Sequence, residues 1–326
     1  MFEHLTDESL RLGDHARGYD AEILLTKDMV GQLGEGLTRQ FTEEAHVHDE
    51  RYFDLAAKKQ VFTKALSLSP MRHAGEIIEV LDIGCGSGNA TFPLLELLPA
   101  CSVLATDLSP QMVQILVTRA KALGVMDRVV PLVSNASTLD LARDSFDLVA
   151  GFSMLHHLLE PRRFLRKLVE SLRPGGLAVL LEPMTAGHLV VRHFMGLFCG
   201  EEHLSALLPD DIRDFFQQFM YTVEVLSAQD RSGFDYAKID DKWTFSRAFF
   251  EECAQENGAT WRCFGTSSLE HPFTDKLEEL VWMGLGRRWR LPQRLRDMTL
   301  AFDASIPRDA FDELATEACV VFAKPL

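Results

Sequence analysis

From Val80 to Asn89 the chain reads Val-Leu-Asp-Ile-Gly-Cys-Gly-Ser-Gly-Asn, an apolar run ending in three glycines at alternate positions. Glycine lacks the Cβ that would keep backbone away from a ligand. Gly84, Gly86 and Gly88 are therefore read as a binding turn that follows a strand and opens a helix, at the carboxyl end of a sheet. Asp107 stands nineteen residues after Gly88, at the end of the next apolar run. A carboxylate there can accept hydrogen bonds from both hydroxyls of a ribose; a helix-capping role is the competing reading. Asp82 is suited to organising the turn or facing a cationic ligand. Acid–base potential lies in His156 and His157, in Glu182, and in His188 and His193 beyond it. A histidine titrates near neutrality, so one of the pair, His157 by preference, can take a proton from an acceptor. Packing or hydrogen bonding is the alternative for the pair, and rim capping for the other three.

Such a turn serves more than one nucleotide. Dinucleotide binders use G-x-G-x-x-G/A, in which the last small residue lets helix and strand pack closely. Here that position is Asn89 and the third glycine falls one place early. A nicotinamide-dependent oxidoreductase is thus a demoted alternative.

The elements that must hold these residues follow from periodicity. From Ile77 to Pro183, short β-branched runs alternate with helical patterns, as in βαβ units around a parallel sheet. Five strands are placed at 77–83, 102–106, 129–133, 146–152 and 177–182, and two more at 259–264 and 318–324. Ser109-Pro110 opens a helix that Gly124 closes. Pro161 opens another, with Phe164, Leu165, Leu168, Val169 and Leu172 on one face, which Arg173-Pro174-Gly175-Gly176 breaks. The expected fold is α/β: a Rossmann-like, seven-stranded, mostly parallel sheet with helices on both faces. Residues 1–73 form an N-terminal helical region without strands, and 74–326 form the main domain. Within it, 187–241 is a helical insertion rich in Phe, Leu and Met, read as an active-site lid; extending the core or forming a dimer face is its alternative role.

The segment Asp82 to Gly88 resembles motif I of class I S-adenosylmethionine-dependent methyltransferases. Thr106-Asp107-Leu108-Ser109 with Met112, Ser145 to Val149, Met154 to Leu158, and Leu172 to Gly176 follow in the order of that family's landmarks. The resemblance covers about Ile77 to Pro183, with a weaker tail from Trp243. It implies that Asp82, Gly84, Cys85, Gly86 and Gly88 line the methionine half of S-adenosyl-L-methionine and that Asp107 binds the ribose. It implies Leu108 against the adenine, with Met112 and Phe152 completing the cofactor set. Relatives offer the adenine an acidic residue followed by alanine; here Asn135-Ala136 stands there, and an amide oxygen can still accept from the exocyclic amine. Tyr52, on an apolar-faced stretch from Asp49 to Ala56, is expected to close over the cofactor or to join the core. The implied reaction is methyl transfer to a small, partly apolar acceptor, oxygen before nitrogen, carbon or sulfur. A cofactor-binding sensor or scaffold without transfer activity is the alternative from another functional class.

Composition narrows the partners. With 48 acidic against 33 basic side chains the net charge is −15, which opposes a phosphate backbone. No nucleic acid and no membrane partner is expected, and the protein is read as cytoplasmic, a monomer or a homodimer. The six cysteines show no ligand spacing and are read as reduced and apolar. No carboxylate cluster suggests a metal, and none is expected.

Overall fold

The computed structural model describes residues 10, 11, 19–29, 33, 37–69, 71, 77–267 and 270–326. The parts of the expected N-terminal helical region at 1–9, 12–18, 30–32, 34–36, 70 and 72–73 lie outside them. Among the described residues nine strands form one sheet: β1 (Leu10–Arg11), β2 (Leu24–Thr26), β3 (Ile78–Ile83), β4 (Cys101–Asp107), β5 (Val129–Val133), β6 (Phe146–Phe152), β7 (Leu172–Pro183), β8 (Thr260–Gly265) and β9 (Glu317–Ala323). Their order is β1-β2-β5-β4-β3-β6-β7-β9-β8. Pairing is parallel from β2 through β5, β4, β3 and β6 to β7, and antiparallel between β1 and β2.

The helices are α1 (Ala45–Tyr52), α2 (Leu55–Leu68), α3 (Thr91–Leu97), α4 (Pro110–Leu123), α5 (Pro161–Ser171), α6 (Thr185–Gly200), α7 (Glu202–Ser205), α8 (Asp210–Leu226), α9 (Arg247–Glu256), α10 (Pro272–Leu285) and α11 (Gln293–Ser305). The mostly parallel α/β fold is thus present, with two strands more than the seven expected. Both additions, β1 and β2, come from the region read as free of strands. Leu24 and Leu25 pair with Leu132 and Val133; two or three residues are too few for an alternating pattern to register, and the open ladder of β5 supplies what the local sequence does not. A smaller difference is β7, which starts at Leu172 rather than 177 and carries the Arg-Pro-Gly-Gly segment within it.

The sheet order reverses about β3, whose neighbours are β4 and β6. Strands of a doubly wound sheet are covered on both faces, and β3 is buried at every position except Glu79. The expected α4 signals act as read: Ser109 accepts from the Met112 amide at 3.1 Å, Pro110 opens the helix, and Gly124 takes φ 67°.

The chain divides into two compact units, residues 1–181, 250–262 and 319–326, and residues 182–249 and 263–318. The first holds most of the sheet and the glycine turn. The second is helical around a core of its own, where Val191, Phe194, Met195 and Phe198 of α6 join Ile212 and Phe216 of α8 and Leu277 and Val281 of α10. Gly187 allows α6 to meet the backbone at Ala315, where a Cβ would lie 2.4 Å from the carbonyl. No helix among the described residues is long and apolar enough to cross a membrane.

Candidate functional site

β3 delivers its last residues into the turn, where Gly84, Gly86 and Gly88 take φ of 67°, 51° and 105°. These left-handed values strain any residue with a side chain. At Gly86 a Cβ would meet only the Met112 methyl, at 3.4 Å, whereas at Gly88 it would strike the Phe92 ring at 2.2 Å. Gly88 therefore serves the packing of the turn, and Gly86 keeps a shallow cradle open. The turn leans on β4: the Cys85 amide donates to the Thr106 carbonyl at 2.9 Å, and the Gly86 amide to Asp107 Oδ2 at 2.8 Å.

Asp107 also accepts the Ser109 amide on Oδ1 at 2.8 Å. One backbone donor on each oxygen fixes the plane of the carboxylate and leaves further lone pairs for hydroxyl donors. Burial raises its pKa, opposed by the bonds from Ser109, Gly86 and Leu108. Asp82 is fully buried at the end of β3. Thr91 donates to its Oδ2 at 2.5 Å, while Oδ1 has no protein partner among the described residues. Burial pushes the carboxyl up to about 7, the Thr91 bond pulls it back, and the neighbouring Asp107 charge adds to the rise. Ser134, next to the end of β5, likewise has a buried hydroxyl without a partner among the described residues. Buried polar groups are seldom left so, and two of them beside the cradle fit a polar, positively charged ligand there. Cys85 is buried, and desolvation first, then Asp107 and Asp82, hold its thiol well above the usual range, so it is no nucleophile.

Met112 is buried beside Ala45 and Ile115, and Leu108, which follows Asp107, is half-buried. Phe152, the last residue of β6, stacks on Phe62 of α2 at 4.8 Å, with Lys58 Nζ 5.8 Å from its ring. Ser153 follows with a left-handed φ of 54°, an uncommon conformation of the sort found at working sites. Asn135 caps its own loop, Oδ1 accepting the Ser137 amide at 2.9 Å, with half-buried Ala136 between them.

A row of rings crosses this edge of the sheet. Tyr52 and His48 have centroids 4.6 Å apart, His48 and Phe41 5.0 Å, Phe41 and His157 6.0 Å, and His157 and His156 4.1 Å. The short turn Leu155–His157 after β6 thus brings both histidines to the N-terminal segment, His156 buried and His157 half-buried. Ser109 anchors that segment by donating to the Phe41 carbonyl at 2.5 Å. Glu182 is fully buried near the end of β7 and opens the second unit. His188, in α6, donates from Nδ1 to the Met184 carbonyl at 2.9 Å, and desolvation drives its pKa down to about 4. It is a neutral, structural histidine at pH 7. His193 is exposed, its ring edge-on to Phe194 at 6.0 Å.

Sequence reasoning missed Thr91, Ser134, Phe41 and His48, and it read Asn89 only as an obstacle. Asn89 Nδ2 donates to the Tyr52 carbonyl and Oδ1 accepts the Asp54 amide, both at 3.1 Å. The hydroxyls carry no motif, and the other contacts join segments distant in the chain.

The chain is similar to known methyltransferases. A family model described as a methyltransferase domain matches residues 80–176. A ubiquinone biosynthesis O-methyltransferase of Parvibaculum lavamentivorans is 27% identical over 182 residues, 53% of this chain and 68% of that protein. The 27-O-demethylrifamycin SV methyltransferase of Amycolatopsis mediterranei is 33% identical over 178 residues, 52% of this chain and 60% of its own length. The crystal structure of Haemonchus contortus phosphoethanolamine N-methyltransferase 2, with phosphomonomethylethanolamine and S-adenosylhomocysteine, superposes with a TM-score of 0.51. It does so at 15% identity over 88% of this chain and 59% of that one, a likeness of fold.

Proposed function

Because this chain is an S-adenosylmethionine-dependent methyltransferase of the class I, Rossmann-like family, we propose that it methylates an oxygen of a small, partly apolar acceptor. The observation that carries the site assignment is the buried Asp82 Oδ1, without a protein partner among the described residues, beside three left-handed glycines and the Asp107 carboxylate. The cofactor, when bound, supplies a methyl group already activated on a sulfonium.

The chain's own work is to hold, orient and exclude water. Asp82 with Gly84, Cys85, Gly86 and Gly88 takes the methionine half, and Asp107 takes the ribose hydroxyls. Leu108, Met112 and Phe152 give the adenosine its apolar surroundings. Asn135 and Ala136 edge the adenine, and Tyr52 covers the cofactor from α1. Where the acceptor must lose a proton, His157 accepts it, with His156 and Glu182 as further candidates. Residues 187–241 are taken as the acceptor-covering lid, on their content of Phe, Leu and Met. Oxygen is favoured because two relatives carry O-methylation in their names.

The test is equilibrium binding of labelled S-adenosylmethionine to the purified chain, followed by a panel of phenolic and hydroxyl acceptors. Micromolar binding that Asp107→Ala weakens by about tenfold or more supports the reading. An absence of binding sinks it, and turnover only on amine acceptors sinks the preference for oxygen.

A further inference from the structure

Two side chains join the glycine turn to the N-terminal segment. The Asn89 carboxamide spans the junction of α1 and α2, donating to the carbonyl that ends one helix and accepting from the Asp54 amide that begins the other. These are end groups that helices cannot satisfy internally. Arg119 reaches from α4: Nη1 donates to the Ser87 carbonyl at 2.7 Å and Nη2 to Asp49 Oδ2 at 2.8 Å. Its guanidinium carbon lies 3.5 Å from the Phe53 ring centroid. The Arg119 and Asp49 side chains are only 22% and 12% exposed, so this pair is shielded from the screening that weakens surface ion pairs. Ser87 and Asn89 flank Gly88, while Asp49, Tyr52, Phe53 and Asp54 belong to one short stretch that also carries His48 of the ring row.

We propose that Asn89 and Arg119 are positioning residues that fasten this stretch to the turn and so set how tightly the turn holds its cofactor. The proposal rests on the cofactor reading above and extends it, since neither residue is assigned a contact with the cofactor. If the fastened arrangement is the binding-competent one, apparent affinity scales with the fraction of molecules in it. Loosening the clasp then weakens binding through a segment that still has all its own side chains. Arg119 is suited to the task because one rigid fork makes two directed bonds while its face lies on a ring; lysine cannot do all three.

The experiment uses the full chain with Asn89→Ala, Asn89→Asp, Arg119→Ala, Arg119→Lys and Asp49→Asn. Calorimetry with S-adenosylmethionine and with S-adenosylhomocysteine gives Kd, steady-state kinetics gives KM and kcat, and hydrogen exchange reports on residues 45–54. The expected result is a roughly tenfold rise in Kd for Asn89→Ala and Arg119→Ala, with smaller rises for Asn89→Asp and Arg119→Lys. KM for the cofactor should rise more than kcat falls, and exchange should accelerate at 45–54 ahead of the sheet. Arg119→Ala combined with Asp49→Asn should be clearly less than additive. Wild type that binds while every variant stays within about twofold of it overturns the proposal. So does weaker binding without faster exchange at 45–54. Wild type that fails to bind overturns the cofactor reading itself, a result distinct from either. If Arg119→Ala does not fold, Asn89→Asp decides, because it keeps the acceptor for the Asp54 amide and puts a charged acceptor where the donor to Tyr52 was.

Discussion

A carboxylate buried with one oxygen unpartnered is costly to a fold unless something else uses it. Asp82 is such a group, and the folded state holds its proton up to about pH 7, whereas the unfolded chain releases it near the ordinary carboxylate value of 3.8. Between those values the folded protein binds more protons, so stability falls as pH rises and levels off above about 7. Asp82→Asn should remove that slope. Urea unfolding of the unliganded variant should show a gain of about 1–3 kcal/mol over wild type at pH 8, together with weaker cofactor binding. A variant with the wild-type slope would contradict the burial argument. His157 is tested differently: if it takes the acceptor proton, His157→Gln should lower kcat/KM by roughly a hundredfold or more and abolish the acidic limb of the pH profile. An unchanged profile would leave His157 a packing residue of the ring row.

At the scale of the elements, what the sequence could disclose depended on whether the deciding contacts were local. β5 and β6 match the expected bounds, β3 differs by one residue at its start and β4 by one residue at each end, because strands buried on both faces read as unbroken β-branched runs between turn residues. The glycines and Asp107 were legible for the same reason, being fixed by the strand–turn–helix they sit in. β2 was not, since its pairing is decided by β5, and the bonding role of Asn89 stayed hidden because its two bonds go to residues 35 and 37 positions away. Asp303 shows the same limit in the second unit. From α11 it accepts the Phe273 amide at 3.0 Å, and the Thr274 amide and hydroxyl at 3.1 and 2.7 Å, capping α10 where His271 makes no side-chain cap. Asp303→Ala should cost about 2 kcal/mol, measurable in chemical unfolding. A loss within about 0.5 kcal/mol would mean that water replaces the cap.

For the whole molecule, the net charge of −15 gives its own prediction: at pH 7.5 the protein should pass through a heparin column at low salt, and retention beyond ~0.2 M salt would reveal a basic surface that the composition hides. His188 adds a second pH dependence. Its folded pKa of about 4 lies below the ordinary 6.5, so the unfolded chain binds the extra proton and stability falls as pH drops through that interval. The path of the chain matters too, since it passes between the two units four times and places β9 between β7 and β8 in the sheet. During synthesis on the ribosome, more than three hundred residues must emerge before that interior slot can be filled. Until then β7 offers an open ladder to any stray strand, so the nascent chain should depend on chaperones late in translation, and premature stop codons even shortly before β9 should yield aggregates rather than a trimmed enzyme.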